Sequence, residues 1–232
     1  MAVARDGRPI LRQPPGKPSM GIIAFHDAGA GPEQFEAAFQ ARAHDLPDAV
    51  FYAPRAPMPC MAAMRGYQWY EIEDIGPDNL RDRLADGESL VAELIERFQT
   101  QFGLGPEQTV VAGFSQGAVL LSGLLREPDP PYSGLFGFSG QVIPDTALNP
   151  AAVAGTAQAL FHGADDDVVP LVYAERLFRW FSDAGGNPSL YVEGQGGHDI
   201  GEGSIRRAGE QLRELAAAIA AGERPAPGAR RP

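Results

Sequence analysis

The chain has 232 residues, of which 44% are hydrophobic and 21% charged, and its formal net charge is −11. A single α/β domain commonly reaches this length, so we expect one domain of ordinary globular composition. The negative charge opposes binding to phosphate backbones and anionic lipid surfaces, which argues against a nucleic-acid partner. Because Cys60 is the only cysteine, no internal disulfide and no cysteine cluster for a metal can form, which fits a reducing compartment.

Both ends of the chain differ in composition from its middle. Residues 1–18 are rich in proline and basic residues, and we interpret them as an N-terminal arm or edge hairpin ahead of a single domain over residues 19–222. Residues 223–232 are expected to be a flexible tail. The start lacks the apolar stretch of a signal peptide, and no apolar run is long enough to span a bilayer. We therefore expect a cytoplasmic protein without integral membrane contact, and the oligomeric state stays open, a homodimer included.

Short apolar runs alternate with helical patterns between these ends. The predicted strands cover residues 21–25, 49–53, 108–113, 134–138, 157–161 and 189–192. The predicted helices cover residues 33–44, 79–102, 116–126, 172–184 and 204–221, with Ser204 as the expected cap of the last. Several strands are apolar almost throughout, as in parallel strands that are covered on both faces. This alternation predicts an α/β fold with a doubly wound, mostly parallel sheet, whose sites lie at the carboxyl ends of strands.

A G-x-S-x-G pattern at residues 113–117 follows the third predicted strand and leads directly into a helix. The pattern alone is weak, and a glycine-rich turn with an incidental serine is the competing interpretation. In this strand–turn–helix context it is typical of a nucleophile elbow, where small flanking residues permit a sharp turn that lifts the serine hydroxyl above the sheet. The helix N-terminus also favours negative charge beside it. We therefore predict Ser115 to be the nucleophile.

A serine nucleophile needs a base to take its proton, which is usually a histidine. The chain contains four histidines: His26, His44, His162 and His198. Only His198, in a glycine-rich loop after the last predicted strand, fits the chain order of serine, acid and histidine that α/β-hydrolases use. The acid is expected among three adjacent aspartates, residues 165–167, since one of them could accept the Nδ1 proton of His198 and fix its tautomer. The residues alone do not select among the three.

Several stretches together resemble the phospholipase/carboxylesterase family of α/β-hydrolases, which includes the acyl-protein thioesterases. GFSQG (113–117) is similar to the nucleophile elbow of that family, HGADDDVVP (162–170) to its His-Gly-x-x-Asp-x-x-Val-Pro segment, and GGH (196–198) to its Gly-His near the C-terminus. APRAP (53–57) with Trp69-Tyr70-Glu71, and FSGQVIP (138–144), resemble further family elements. The resemblance spans most of the chain. It implies the α/β-hydrolase fold and a catalytic triad of Ser115, Asp166 and His198.

The resemblance also implies an oxyanion hole formed by two backbone amides, those of Gln116 and Ala28. The chain departs from the family pattern at Asp27, where the family has glycine. A carboxylate in the hole would oppose the oxyanion, so we expect the Asp27 side chain to face away from it. The chemistry of such a site requires neither a metal nor a cofactor.

The loop over residues 55–70 is rich in methionine and aromatic residues. These side chains either cover the edge of the sheet or form an adaptable apolar wall for an acyl chain, because thioethers fit irregular shapes. On the second interpretation, Met64 and Trp69 are the expected substrate contacts.

The sequence thus predicts a serine carboxylesterase that acts on a small-molecule ester or thioester through an acyl-enzyme. The same triad would support acyl-protein thioesterase or lysophospholipase activity, which stays an alternative. A catalytically idle hydrolase fold that binds a small apolar ligand is a second alternative, since one fold hosts unrelated functions.

Overall fold

A computed structural model describes residues 9–76, 78–143 and 147–223 of the chain. The first eight residues of the predicted arm, and residues 224–232 of the predicted tail, lie outside the described residues. Within the described ranges, no helix is long and apolar enough to cross a membrane.

Seven of the strands found among the described residues form one sheet, and two more form a small hairpin. The sheet strands are β1 (Ile10–Arg12), β2 (Met20–Phe25), β3 (Ala49–Ala53), β6 (Thr109–Phe114), β7 (Gly134–Phe138), β8 (Ala157–Gly163) and β9 (Ser189–Glu193), and the hairpin pairs β4 (Met58–Pro59) with β5 (Tyr67–Gln68). The order across the sheet is β1-β3-β2-β6-β7-β8-β9. Every neighbouring pair except β1 and β3 is parallel, which confirms the predicted fold class.

Helices cover both faces of this sheet. They are α1 (Glu36–Ala43), α2 (Leu80–Phe102), α3 (Gln116–Gly123), α4 (Pro150–Ala154), α5 (Val172–Asp183) and α6 (Glu202–Ala220). Successive strand residues point to opposite faces, so Ile23 belongs to a core with residues of α2, α3 and α5, whereas Ile22 belongs to a second core with residues of α1 and α6. Burial on both faces explains why the central strands are apolar throughout.

The order of strands reverses direction between β2 and β6. From β2 the chain continues to β3 on one side, and it later returns through β6 to build the other side. Such a switch point opens a crevice at the carboxyl ends of the strands, where ligands bind in doubly wound folds. Asp27 follows β2 at this edge, and Ser115 follows β6; Asp166 and His198 lie in the loops after β8 and β9.

Helix α6 begins before the predicted position, and the prediction that Ser204 caps it is wrong. The N-cap is Gly201, and Ser204 is a buried residue of the first turn. Its hydroxyl and its amide both donate to the carboxylate of Glu193, at 2.7 and 3.0 Å. A carboxylate from the end of β9 thus satisfies first-turn amides that a capping hydroxyl would otherwise serve.

Helix α4 was not predicted, although the sequence carries its start signal. The Asn149 side chain accepts hydrogen bonds from the amides of Ala151 and Ala152, and Pro150 is the first helical residue. An asparagine cap followed by proline is a standard helix start.

Candidate active site

Ser115 lies on a strained turn between β6 and α3. Its backbone angles are φ 48° and ψ −108°, outside the regions that non-glycine residues prefer. Its amide donates to the carbonyl of Phe138 at 2.8 Å, which ties the turn to the neighbouring strand. The flanking glycines permit the turn, because a Cβ at Gly113 would lie 2.5 Å from the amide nitrogen of Ala118 and one at Gly117 would collide with the carbonyl oxygen of Phe25.

Gly117→Ala is therefore expected to lower the free energy of unfolding by about 3 kcal/mol or more, since a backbone carbonyl of a central strand cannot move aside. Urea denaturation of the purified variant measures this change. Gly16→Ala is the matched control, because nothing lies within 4 Å of the added methyl group. Equal stability of the two variants would contradict the packing argument.

Asp166 and His198 form a hydrogen-bonded pair beside this turn. Nδ1 of His198 lies 2.9 Å from Oδ2 and 3.1 Å from Oδ1 of Asp166. The amides of Val168 and Val169 donate to Oδ1, at 3.1 and 2.8 Å, and fix the carboxylate. Burial alone would raise the pKa of Asp166, but the Val169 amide and His198 lower it more, so the carboxylate stays charged. The neighbouring Asp165, in contrast, is exposed.

Two further histidines support the loops instead of meeting the serine, and the third is a surface residue. Nδ1 of His26 donates to the carbonyl of Asp27 at 2.7 Å, and its Nε2 accepts from the amide of Ala56 at 3.0 Å. Burial lowers the pKa of His26, in keeping with this neutral form. Nε2 of His162 donates to the carbonyl of Val169 at 2.7 Å. His44 is exposed.

The other side of the His198 ring faces Asp27 instead of a serine hydroxyl. Within the described part of the chain, Nε2 of His198 has no hydrogen-bond partner, and Oδ2 of Asp27 lies 3.5 Å from it. The ring packs on Phe114, with 4.8 Å between the ring centroids. Burial lowers the pKa of His198, but the carboxylates of Asp27 and Asp166 raise it more, so the pKa is above its ordinary value of 6.5.

The Asp27 side chain points into the predicted oxyanion hole, so the expectation that it faces away is wrong. Its Oδ1 accepts from the amide of Ala28 at 2.6 Å and from the amide of Gln116 at 3.4 Å, the two donors inferred for the hole. The carboxylate takes this position because unpaired backbone amides create a positive electrostatic potential there. Free amides at the start of α3 form a site for an anion, and the Asp27 carboxylate, in the neighbouring loop after β2, lies within reach of them.

The backbone of Asp27 is held on both sides. Its amide donates to Oε1 of Gln34 at 2.9 Å, and its carbonyl accepts the His26 proton. Gly29, in a left-handed conformation with φ 75°, joins the loop to β5 through a hydrogen bond from its amide to the carbonyl of Tyr67. These hydrogen bonds hold the backbone of the loop on both sides of the Asp27 side chain.

The side chain of Gln116 has a role that the sequence analysis missed. Its Oε1 accepts from the amide of Trp69 at 2.8 Å, and its Nε2 donates to the carbonyl of Tyr70 at 2.7 Å. The indole of Trp69 in turn donates to the carbonyl of His26 at 2.8 Å. These bonds attach the loop before α2 to both strands of the switch point. The glutamine directly after the serine was a signal for this contact.

A cavity of about 290 Å³ lies above Ser115. Its lining includes Asp27, Ala28, Tyr70, Ile72, Ser115, Gln116, Val119, Ser139, Gln141, Val168 and Val169. Trp69 is buried, with 1% of its surface exposed, and Met64 lies on a surface turn, with 90% exposed, and neither belongs to the lining. The structure thus corrects both expected substrate contacts, because apolar contacts in the lining come from residues such as Ile72 and Val168 instead.

Among the described residues, no cluster of histidine, cysteine, aspartate and glutamate side chains is suited to a metal ion.

Comparisons with known proteins agree with this geometry. The phospholipase/carboxylesterase family matches residues 8–215. The chain is 28% identical over 202 residues to Esterase YpfH of Escherichia coli (strain K12), covering 87% of this chain and 85% of that protein. It is 30% identical over 216 residues to acyl-protein thioesterase 1 of Eremothecium gossypii, covering 86% of this chain and 88% of that protein.

Solved structures with esterase names share the architecture. The crystal structure of esterase PE8 has a TM-score of 0.79 at 26% identity and covers 90% of this chain and 98% of that chain. The carboxylesterase of Bacillus cereus has a TM-score of 0.73 at 17% identity, over 90% of this chain and 93% of that chain. The second likeness bears on the fold alone.

Proposed function

The chain belongs to the phospholipase/carboxylesterase family of serine hydrolases with the α/β-hydrolase fold, and on this basis we propose that it hydrolyses carboxylic esters of small molecules through an acyl-enzyme. The observation that supports the proposal best is the hydrogen-bonded pair of Asp166 and His198 beside Ser115 on its strained turn. A serine alone is a weak nucleophile at neutral pH, and such a pair is what activates it.

In the proposed mechanism, the hydroxyl oxygen of Ser115 attacks the ester carbonyl while Nε2 of His198 takes its proton. Asp166 holds Nδ1 protonated and stabilises the imidazolium that forms. The proton then passes from Nε2 to the departing alcohol, which leaves the acyl group on Ser115. Water repeats the sequence and releases the acid.

The amides of Gln116 and Ala28 stabilise the oxyanion in both halves of this reaction. Each such donor contributes about 3 kcal/mol to the lowering of the barrier. The Asp27 carboxylate contacts both amides before substrate binds, so it must move away before either amide can act.

A second candidate is thioester hydrolysis, favoured by the similarity to acyl-protein thioesterase 1 of Eremothecium gossypii. The mechanism is the same, with a thiol in place of the departing alcohol. Comparing kcat/KM for p-nitrophenyl butyrate with that for a butyryl thioester of equal acyl length distinguishes the two activities.

A fluorophosphonate reporter tests the proposed nucleophile directly, because it reacts only with an activated serine. We expect one adduct, on the peptide that contains Ser115, and loss of esterase activity in proportion to labelling. Ser122→Ala is a suitable control, since the hydroxyl of this buried serine in α3 donates to the carbonyl of Ala118 and lies outside the cavity lining. Labelling that persists in Ser115→Ala would contradict the proposal.

The pH profile of the reaction is expected to report His198. Only the neutral imidazole can take the serine proton, so kcat/KM should fall as the pH is lowered through the pKa of His198. Because the carboxylates of Asp27 and Asp166 raise this pKa against the effect of burial, the midpoint should lie above 6.5. Asp27→Asn removes one of these charges and should move the midpoint to lower pH. Initial rates on a neutral ester between about pH 5 and 9 measure both midpoints, and a midpoint that does not change would contradict the assignment.

The domain limits and the cellular setting are further parts of the proposal. We place one catalytic domain over residues 19–222, with β1 as an added edge strand.

The proposed cytoplasmic location relies on a single cysteine, Cys60, which is buried and free. Cell fractionation tests the location, and light scattering of the purified protein tests for a homodimer.

A further inference from the structure

The oxyanion site of this chain is filled by one of its own carboxylates. We propose that Asp27 is a specificity-determining residue, which favours esters that carry a cationic group close to the scissile carbonyl over neutral esters of the same shape. This inference rests on the proposed hydrolase function and adds a substrate class to it.

The carboxylate and the substrate compete for the same two hydrogen-bond donors. Oδ1 of Asp27 lies 2.6 Å from the amide nitrogen of Ala28 and 3.4 Å from that of Gln116. A carbonyl oxygen that becomes an oxyanion needs both of these amides, and one position cannot hold two oxygens. Every productive substrate must therefore displace the carboxylate.

The displacement is a rotation of one side chain. Gln34 and His26 hold the amide and the carbonyl of Asp27, so the backbone stays in place when the carboxylate leaves. The Asp27 side chain is about one-fifth exposed, and the cavity that it lines offers space beside the amides. The displaced carboxylate thus stays in the cavity that also contains Ser115, without its two amide partners.

A substrate cation would compensate for that loss. Among the described residues that line the cavity, Asp27 is the charged one, and the others are apolar or neutral polar residues. The lining includes Tyr70, a type of residue whose ring attracts ammonium groups. A neutral ester offers the displaced carboxylate no new partner beyond the His198 ring, whose Nε2 lies 3.5 Å from Oδ2 and is needed for the serine proton, and an anionic ester repels it. The net charge of −11 acts in the same direction, because it attracts cations to the protein.

Two esters of equal shape test the proposal: butyrylcholine, and 3,3-dimethylbutyl butyrate, in which carbon replaces the charged nitrogen. We expect the wild-type protein to show a kcat/KM about tenfold higher for the cationic ester. Asp27→Asn keeps the size of the side chain and the acceptor for the Ala28 amide but removes the charge. In this variant the preference should fall to about twofold or less, with an increased kcat/KM for the neutral ester.

Asp27→Gly provides a second variant, which restores the residue of the family pattern and empties the site. It should show the same loss of preference and a greater gain on the neutral ester. A merely structural aspartate would alter the stability of the variants and leave the ratio of the two substrates unchanged, and an unchanged ratio would overturn the proposal. Fluorophosphonate labelling of all three proteins separates this outcome from failure of the proposed function. Labelled, active enzymes with equal ratios refute the specificity role alone, whereas absence of both labelling and hydrolysis refutes both proposals.

Discussion

Replacement of Ser115 by alanine is expected to lower kcat for ester hydrolysis by about 10⁴- to 10⁶-fold and to leave the protein folded. The hydroxyl oxygen forms the covalent bond to the acyl group, so without it only binding and the oxyanion donors can accelerate attack by water. The methyl group of alanine fits the space of the serine side chain, and the backbone strain at φ 48° is the same for both residues. Steady-state kinetics on p-nitrophenyl butyrate, with the melting temperature as a check of folding, measure the effect.

Ser139→Ala is the matched control for this replacement. Ser139 also lines the cavity, follows the neighbouring strand β7 and has a similar backbone angle, φ 47°. Its hydroxyl helps to lower the pKa of Asp166, and its loss should change kcat by only a few-fold, about the effect of one hydrogen bond. Should Ser115→Ala keep a tenth of the wild-type kcat, or Ser139→Ala show the larger loss, the nucleophile would be misassigned.

Asp166→Asn is expected to lower kcat by about 10⁴-fold, the loss that the same replacement causes in a serine-protease triad. An amide nitrogen can donate to Nδ1 of His198, which stabilises the tautomer whose Nε2 carries the proton and cannot act as a base. The amides of Val168 and Val169 would retain an acceptor in the asparagine oxygen, so the loop should keep its shape. Kinetics at the pH plateau of each variant measure the loss without interference from a change in the His198 pKa.

The two flanking aspartates are natural controls. Asp165 and Asp167 are exposed, whereas 5% of Asp166 is exposed and its carboxylate contacts His198. Asp165→Asn and Asp167→Asn should each change kcat by a few-fold at most, through the loss of one nearby charge. A loss of several orders of magnitude in either control would shift the assignment of the acid by one residue.

Most of the sheet could be predicted from the sequence because its central strands are buried on both faces. The strands at residues 49–53 and 134–138 have the predicted limits, and the others differ by one or two residues. The order of elements also brought Ser115, Asp166 and His198 to the same edge. The residues that follow parallel strands all lie at one edge of the sheet, so the chain order and the parallel topology were enough to place these three residues there.

The direction of the Asp27 side chain could not be predicted, because it depends on groups that are far apart in sequence. The Gln116 amide that it contacts is 89 residues away, and the rotamer follows from the field of two loops. The predictions that Trp69 and Met64 contact the substrate were wrong for a related reason. Both side chains are apolar and large, but Met64 lies in the turn at residues 61–66 and points to the surface, while a hydrogen bond to the carbonyl of His26 holds the Trp69 indole in the interior.

Two hydrogen bonds attach Gln116 to backbone groups of the loop before α2, the amide of Trp69 and the carbonyl of Tyr70, and the Gln116 side chain also interacts with the phenol of Tyr70. The two backbone hydrogen bonds do not depend on which side chains occupy positions 69 and 70, provided that the main chain keeps its path. Loop sequences can diverge, and loops from relatives can be transplanted, without loss of the anchor beside the nucleophile. Substitution of Gln116 itself is less well tolerated. A residue without a side-chain amide at position 116 would release the loop and, with it, one wall of the cavity.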